Sequence, residues 1–238
     1  MIHIFDLLEF QVLAAASGME QYYGFSCFGH SETEAEEIVY AVYRLLQDGI
    51  LKQEGQDLVI QPPIRELLNT VRNSRMVVTV DPGAANAQEP GQCLYWDKGK
   101  IVCAEEKYRE KGKIGFSLIS EDELKCQMKE LGHLPEKKLT EDMGAFSMDE
   151  YWKKIPENLS WLLSLGLSAE TESLQDQERI HSLFSLREKE SGTVRMRILV
   201  LDFAMEYAMV IQREGQPGEI QNYCPEEIFH CLFHEKEE

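Results

Sequence analysis

Apolar residues recur at helical spacing in the first stretch of the chain: Phe5, Leu8, Val12 and Ala15 share a face before Gly18, whose freedom at positive φ suits a C-terminal stop. A second helix is marked by the buried stripe Ile38, Ala41, Val42 and Leu45, which ends before Gly49. Ser31 with Glu34 has the spacing of a capping box, and Glu32, Glu34, Glu36 and Glu37 suit the positive end of the macrodipole. The period then changes. "ILKQEGQDLVIQ" alternates around a glycine turn as a hairpin does, and "PPIRELLNTV" opens a third helix with proline where a missing N–H costs nothing.

From Arg75 the pattern becomes that of strands. "MVVTV" is apolar on both faces, which predicts a strand inside a sheet covered on both sides. "QCLYWDKGKIVCAEE" reads as a hairpin and "KIGFSLIS" as a further strand, after which Ser120 and Glu123 cap a helix running through "ELKCQMKEL" to Gly132. The polar stretch "HLPEKKLTEDMGAF" predicts a join. Helices are expected in "MDEYWKK" up to Pro156, in "ENLSWLLSLG", and across 170–189, where Leu174, Ile180, Leu183 and Phe184 can share a face. "VRMRILVLD" then predicts a strand, "AMEYAMVIQREGQPGEIQNY" a hairpin, and Pro225 with Glu226 and Glu227 the start of a terminal helix, "EEIFHCLF".

Two runs begin Arg-Met and end in Asp: "RMVVTVD" at residues 75–81 and "RMRILVLD" at residues 195–202. Aligning Asp81 with Asp202 sets Val77, Val78 and Val80 opposite Ile198, Leu199 and Leu201, with a hairpin and an acid-capped helix following in both places. They read as matching first strands of two repeats. The expected fold is therefore α/β in the α+β sense: mixed, largely antiparallel sheets flanked by helices, in two pseudo-twofold-related repeats that supply each other's core. The first repeat spans 1–132, with a winged-helix-like helical part at 1–74 and strands plus a helix at 75–132. The second spans 133–238, helical over 133–192 with strands plus a helix over 193–238.

Charge removes several function classes. The chain has 238 residues and a formal net charge of −18. The excess is even: 13 Lys and Arg against 21 Asp and Glu in residues 1–132, and 11 against 21 in residues 133–238. Nucleic-acid affinity rests largely on cations that neutralise phosphates, so an acidic chain is poorly suited to it, and an anionic membrane is disfavoured for the same reason. The winged-helix order raises DNA binding directly, but residues 1–75 hold five cations against eleven carboxylates, and the best recognition helix opens with glutamates. No run approaches the roughly 18 apolar residues of a membrane span, and "MIHIFDLLEF" lacks a basic leader. A cytoplasmic location is expected. The six cysteines (Cys27, Cys93, Cys103, Cys126, Cys224 and Cys231) are scattered and contain no C-x-x-C, so thiols rather than disulfides are expected.

Candidate chemistry is sparse. "GFSCFGHS", Gly24 to Ser31, has the glycine spacing of a phosphate loop but places His30 where a lysine belongs and follows a helix rather than a strand. Asp81 and Asp202, if brought together by the twofold, would suit acid–base or metal work, although aspartate before Pro-Gly is also a turn former. Cys224, His230 and His234 are the candidate metal ligands, the two histidines lying one helical turn apart; an amphipathic terminal helix with incidental histidines is the competing account. His133 and His181 stand isolated, and no Ser/His/Asp grouping has the context of a nucleophile. Tyr95 and Trp96 on one predicted hairpin, and Met205, Tyr207 and Met209 on the other, are the candidate partner-binding residues if a sheet face is uncovered; strands that bury them under helices are the alternative.

The stretches "LLEFQVLAAASG", "LLQDGILKQEGQDLVIQPPIRELL", "RMVVTVDPG" and "RMRILVLD", in this order of elements, resemble the EspG-like proteins, the ESX secretion-associated chaperones of type VII secretion. The resemblance implies a cytoplasmic binding protein that shields an aggregation-prone surface of a secretion substrate. A non-enzymatic chaperone or adaptor with a protein partner and no cofactor is thus the leading expectation. Nucleic acid and membrane are not expected as partners, and a homo-oligomer is compatible. A winged-helix transcriptional regulator and a small metal-dependent enzyme are the other two readings.

Overall fold

A computed structural model of the chain describes residues 2–19, 35–82, 91–106, 112–136, 180–203, 206–216 and 218–234. The phosphate-loop-like stretch, the Ser31/Glu34 cap, Met205, Cys27 and the helices expected between 148 and 179 lie outside these residues. The described elements are α+β. Strands β1 (Ile2–Asp6), β4 (Met76–Pro82), β5 (Gln92–Asp97), β6 (Lys100–Glu106), β7 (Lys113–Ile119), β8 (Ile180–Glu188), β9 (Val194–Phe203), β10 (Glu206–Arg213) and β11 (Glu219–Asn222) form one sheet in the order β1-β7-β6-β5-β4-β8-β9-β10-β11. A separate two-stranded sheet pairs β2 (Leu51–Glu54) with β3 (Asp57–Ile60). Helices are α1 (Leu7–Ala16), α2 (Ala35–Gln47), α3 (Pro62–Asn73), α4 (Glu121–Glu130) and α5 (Pro225–Phe229), the last continuing as a π-helical turn over His230–His234. No described helix is long and apolar enough to cross a membrane.

The chain groups into two compact units, each discontinuous in sequence: Met1–Val77 with Gln92–Leu124 and Lys189–Ser191, and Val78–Gly91 with Lys125–Glu188 and Gly192–Glu238. The expected boundary between residues 132 and 133 follows sequence order, whereas these units cross it.

In the first unit, the helix expected from Phe5 onward begins only at Leu7, because residues 2–6 are paired as a strand with β7. Asp6 is the hinge between the two. Its side chain accepts from the Glu9 amide at 2.8 Å while Glu9 accepts from the Asp6 amide at 2.8 Å, a capping box whose D-x-x-E spacing stood in the sequence. The helix stops at Gly18 (φ +71°), where the Met19 amide reaches back to the Ala14 carbonyl at 2.9 Å. Below α1 and α3 lies a core of Phe5, Phe10, Leu13, Leu45, Leu67, Leu68, Tyr95 and Phe116. The Phe10 and Phe116 rings stack with centroids 4.7 Å apart. Each fully buried side chain of this kind contributes about 1.5–3 kcal/mol.

In the second unit, residues 180–188, expected as part of a long helix, form β8 and pair antiparallel with β9. The stretch "IHSLFSLRE" carries both signals: Ile180, Leu183 and Phe184 fit a helical spacing, yet consecutive residues Ser182 to Ser185 are all buried, as in a strand covered on both faces. This strand also corrects the registration of the twin stretches. The four strands β4–β7 precede α4 and the four strands β8–β11 precede α5, so "RMVVTVD" is the first strand of its set but "RMRILVLD" is the second.

After α4, the Gly132 turn (φ +73°) folds the chain back so that the His133 amide meets the Met128 carbonyl at 2.9 Å. Three side chains then hold the carbonyls of this segment. His181 Nε2 lies 2.6 Å from the Gly132 oxygen, Ser182 Oγ donates to the His133 oxygen at 2.7 Å, and the Tyr223 hydroxyl donates to the Pro135 oxygen at 2.9 Å. A carbonyl only accepts, so His181 carries its proton on Nε2.

Candidate partner-binding surface

The residues proposed from sequence for a partner surface do not share one. Tyr95 is fully buried on β5, opposite Val102 of β6. Met209 is 1% exposed on β10, opposite Val200. Trp96 is half-buried, with its amide donating to Ser74 Oγ at 3.2 Å, and Tyr207 is half-buried between His181 and Tyr223, ring centroids 5.3 and 5.8 Å away. Tyr95 and Met209 cannot reach a partner from these positions. The competing account, in which strands bury aromatic and methionine side chains, describes them.

The metal candidates are likewise separate in role. His230 and His234 are exposed, their rings stacked 6.3 Å apart in the π-helical turn. Cys224 forms the N-cap of α5, with its sulfur 3.5 Å from Glu226 Oε2. Among the described residues no group of three or more His, Cys, Asp or Glu side chains is arranged to hold a metal ion. Cys93, Cys103, Cys126, Cys224 and Cys231 are not in disulfide bonds.

Asp81, read from sequence as a turn former or as half of a carboxylate pair with Asp202, lies near the end of β4. Burial raises its pKa, and the charges acting against that shift are Arg187 and Arg197. Asp202 lies five residues along β9 from Arg197, about 16 Å at the usual strand rise. Opposite Arg197 stand Ser185 of β8 and Gln212 of β10, all three buried.

The surface that sequence reading missed is the outer face of α2. Arg44 fixes the helix in place: its guanidinium pairs with Asp6 and lies 3.3 Å from Glu9, so both members of the α1 capping box are held by one cation. That anchor turns Ala41 and Leu45 inward, where both are fully buried, and leaves Val39, Tyr40 and Tyr43 facing out at 69%, 63% and 55% exposure. Arg44 also lies over the Tyr40 ring, 5.2 Å from its centroid, and Gln47 Nε2 donates to the Tyr43 hydroxyl at 2.9 Å. Between α2 and the start of α1 runs an open groove lined by Asp6, Leu7, Leu8, Glu36, Glu37, Tyr40, Arg44 and Gly112. The clue lies in "EEIVYAVY", where an inward stripe through Ala41, Val42 and Leu45 leaves the apolar residues 39, 40 and 43 on the other side; Ile38, expected in that buried stripe, is 41% exposed at its margin.

No protein-family model matches the chain, and no curated protein matches it. Among solved structures it is similar to the Mycobacterium tuberculosis type VII secretion system chaperone EspG5, solved in complex with a PE25–PPE41 dimer. The TM-score is 0.53 at 8% sequence identity, over 98% of this chain and 94% of that one. The likeness is one of fold.

Proposed function

We propose that this protein is a cytoplasmic, non-enzymatic chaperone or adaptor that binds a secretion substrate and covers its apolar surface. The observation that carries the proposal is the exposed Val39/Tyr40/Tyr43 face of α2. Large apolar side chains grouped on one helix face of an otherwise strongly acidic chain are the signature of a protein interface. The fold it shares with a chaperone solved together with its protein dimer supports the same reading, as does the repeated order of four strands and a helix, which suits a duplicated plan. The acidic excess, −18 overall, favours a protein partner over nucleic acid, and Glu36 and Glu37 in the first turn of α2 oppose its insertion in a groove of DNA.

Co-expression tests this. Small helical proteins encoded near the gene, aggregation-prone when produced alone, are expected to stay in solution and co-elute with the chain in fixed stoichiometry. A chain that leaves all of them aggregated but shifts duplex DNA in a salt-sensitive manner would replace the proposal with the winged-helix regulator.

A further inference from the structure

We propose that the groove beside α2 receives a basic amphipathic helix of the partner protein. This rests on the binding role proposed above and adds the chemistry of the ligand. Among the described residues seven large apolar side chains are exposed, and four of them, Ile38, Val39, Tyr40 and Tyr43, are on α2. Residues 39, 40 and 43 lie within about one helical turn, so they present one continuous ridge. Tyrosine brings large contact area at low entropic cost, which makes Tyr40 and Tyr43 the natural anchors.

The walls decide the form of the occupant. The lining comes mainly from two helices, Glu36, Glu37, Tyr40 and Arg44 of α2 and Leu7 and Leu8 of α1, with Asp6 at the end of β1 and Gly112 before β7 completing it. Tyr40 and Arg44 stand four residues apart, a side-chain row of the kind a second helix packs against, ridge into groove. The occupant that matches such walls is an apolar helix face laid in the groove.

Charge decides the rest. The cation in the groove, Arg44, is already engaged by Asp6 and Glu9, which leaves Glu36 and Glu37 exposed at its rim. An occupant that brings Lys or Arg beside its apolar stripe meets these carboxylates, and one that brings Glu meets repulsion. A second copy of this chain carries the same glutamates on the same helix and a net charge of −18, so self-pairing through α2 opposes like charge to like. An anionic membrane surface fails for the same reason.

The test uses the full chain and two synthetic helical peptides that share a Leu stripe at i, i+3, i+4 and i+7, one flanked by Lys and one by Glu, titrated by fluorescence anisotropy. The Lys peptide is expected to bind at least about tenfold more tightly than the Glu peptide. Tyr40→Ser with Tyr43→Ser is expected to weaken it about tenfold or more with an unchanged melting curve, since both side chains are exposed. Glu36→Lys with Glu37→Lys is expected to reverse the preference. Equal binding of the two peptides, no binding of either, or binding indifferent to the tyrosine variant overturns the inference. So does a concentration-dependent dimer that the tyrosine variant abolishes, because the occupant is then a second copy. If the tyrosine variant still keeps a co-expressed secretion substrate in solution, the chaperone role stands and only this docking site falls; if the unaltered chain keeps none, the chaperone role itself has failed.

Discussion

The ammonium of Lys189 donates to the carbonyl oxygen of Val71, 3.0 Å away, across 118 positions of sequence. It donates to the Arg72 carbonyl as well, and its own amide reaches the Arg75 carbonyl at 2.9 Å. Val71 and Arg72 are in the last turn of α3, where carbonyls have no partner within the helix and the macrodipole is negative. One buried cation therefore completes the C-terminal end of a helix that packs into the core of the first unit, and the short segment Lys189–Ser191 belongs to that unit through it.

Lys189→Met keeps the aliphatic stem and removes the three donors. It is expected to lower unfolding free energy by about 1–3 kcal/mol, the cost of leaving buried carbonyls unsatisfied. Urea unfolding followed by circular dichroism measures it, and an unchanged midpoint contradicts the assignment.

His133 predicts a pH dependence. It is fully buried, neither ring nitrogen has a hydrogen-bond partner among the described residues, and burial, with His181 nearby, lowers its pKa to about 4. The unfolded chain takes up this proton near the ordinary histidine value of 6.5, and the folded chain does so only near 4. Stability from this group is therefore complete above the unfolded value and is lost as pH falls from there through the folded value. Between pH 8 and pH 5 the loss is about 2 kcal/mol. His133→Leu removes the titrating group, so its stability relative to the parent chain is expected to rise by about that amount over the same interval. A difference that stays constant with pH contradicts the buried neutral ring.

Tyr95 and the α2 tyrosines separate stability from binding. Tyr95→Ala empties a fully buried site and is expected to cost about 3–5 kcal/mol with no specific loss at the docking face. Tyr40→Ser and Tyr43→Ser remove exposed rings and are expected to change stability by within about 0.5 kcal/mol while weakening partner binding. Thermal melts beside binding titrations of the three variants distinguish these outcomes.

The C-terminal histidines predict an absence of effect. Purified protein is expected to contain no stoichiometric zinc, and His230→Ala with His234→Ala is expected to leave its melting temperature unchanged on addition of zinc or of a chelator. A metal equivalent lost in that variant would restore the metal-dependent reading.

Much of the fold was legible because local chemistry and tertiary packing agree there. The Leu51–Ile60 hairpin, the Pro62 start of α3, the Lys98-Gly99 turn between β5 and β6, and the Ser120/Glu123 box of α4 are all as the sequence predicts. Failure came where one signal serves two structures. Ile180, Leu183 and Phe184 fit a helical spacing although pairing with β9 makes them strand residues, and Phe5 fits one although pairing with Ile114 does the same. A helix expected over 170–189 hides β8, and without β8 the two Arg-Met runs align as first strands although "RMRILVLD" is the second strand of its set.

The candidate surface was less legible than the fold. Aromatic strand residues attracted attention because Tyr and Trp are common anchors, yet burial is decided by what covers a strand, and that is not written in the strand itself. Helix α2 shows the converse. The periodicity that turns Ala41 and Leu45 inward also places Val39, Tyr40 and Tyr43 outward, but the ion pairs of Arg44 with Asp6 and Glu9, more than thirty positions away, are not written in α2.

The most direct test of a binding role is co-expression of the chain with a small helical secreted protein that aggregates alone, followed by size-exclusion chromatography with light scattering. The account predicts a single species whose mass is the sum of the chain and its substrate in fixed ratio. Elution of the chain by itself, with every such substrate left in the aggregate, would contradict it.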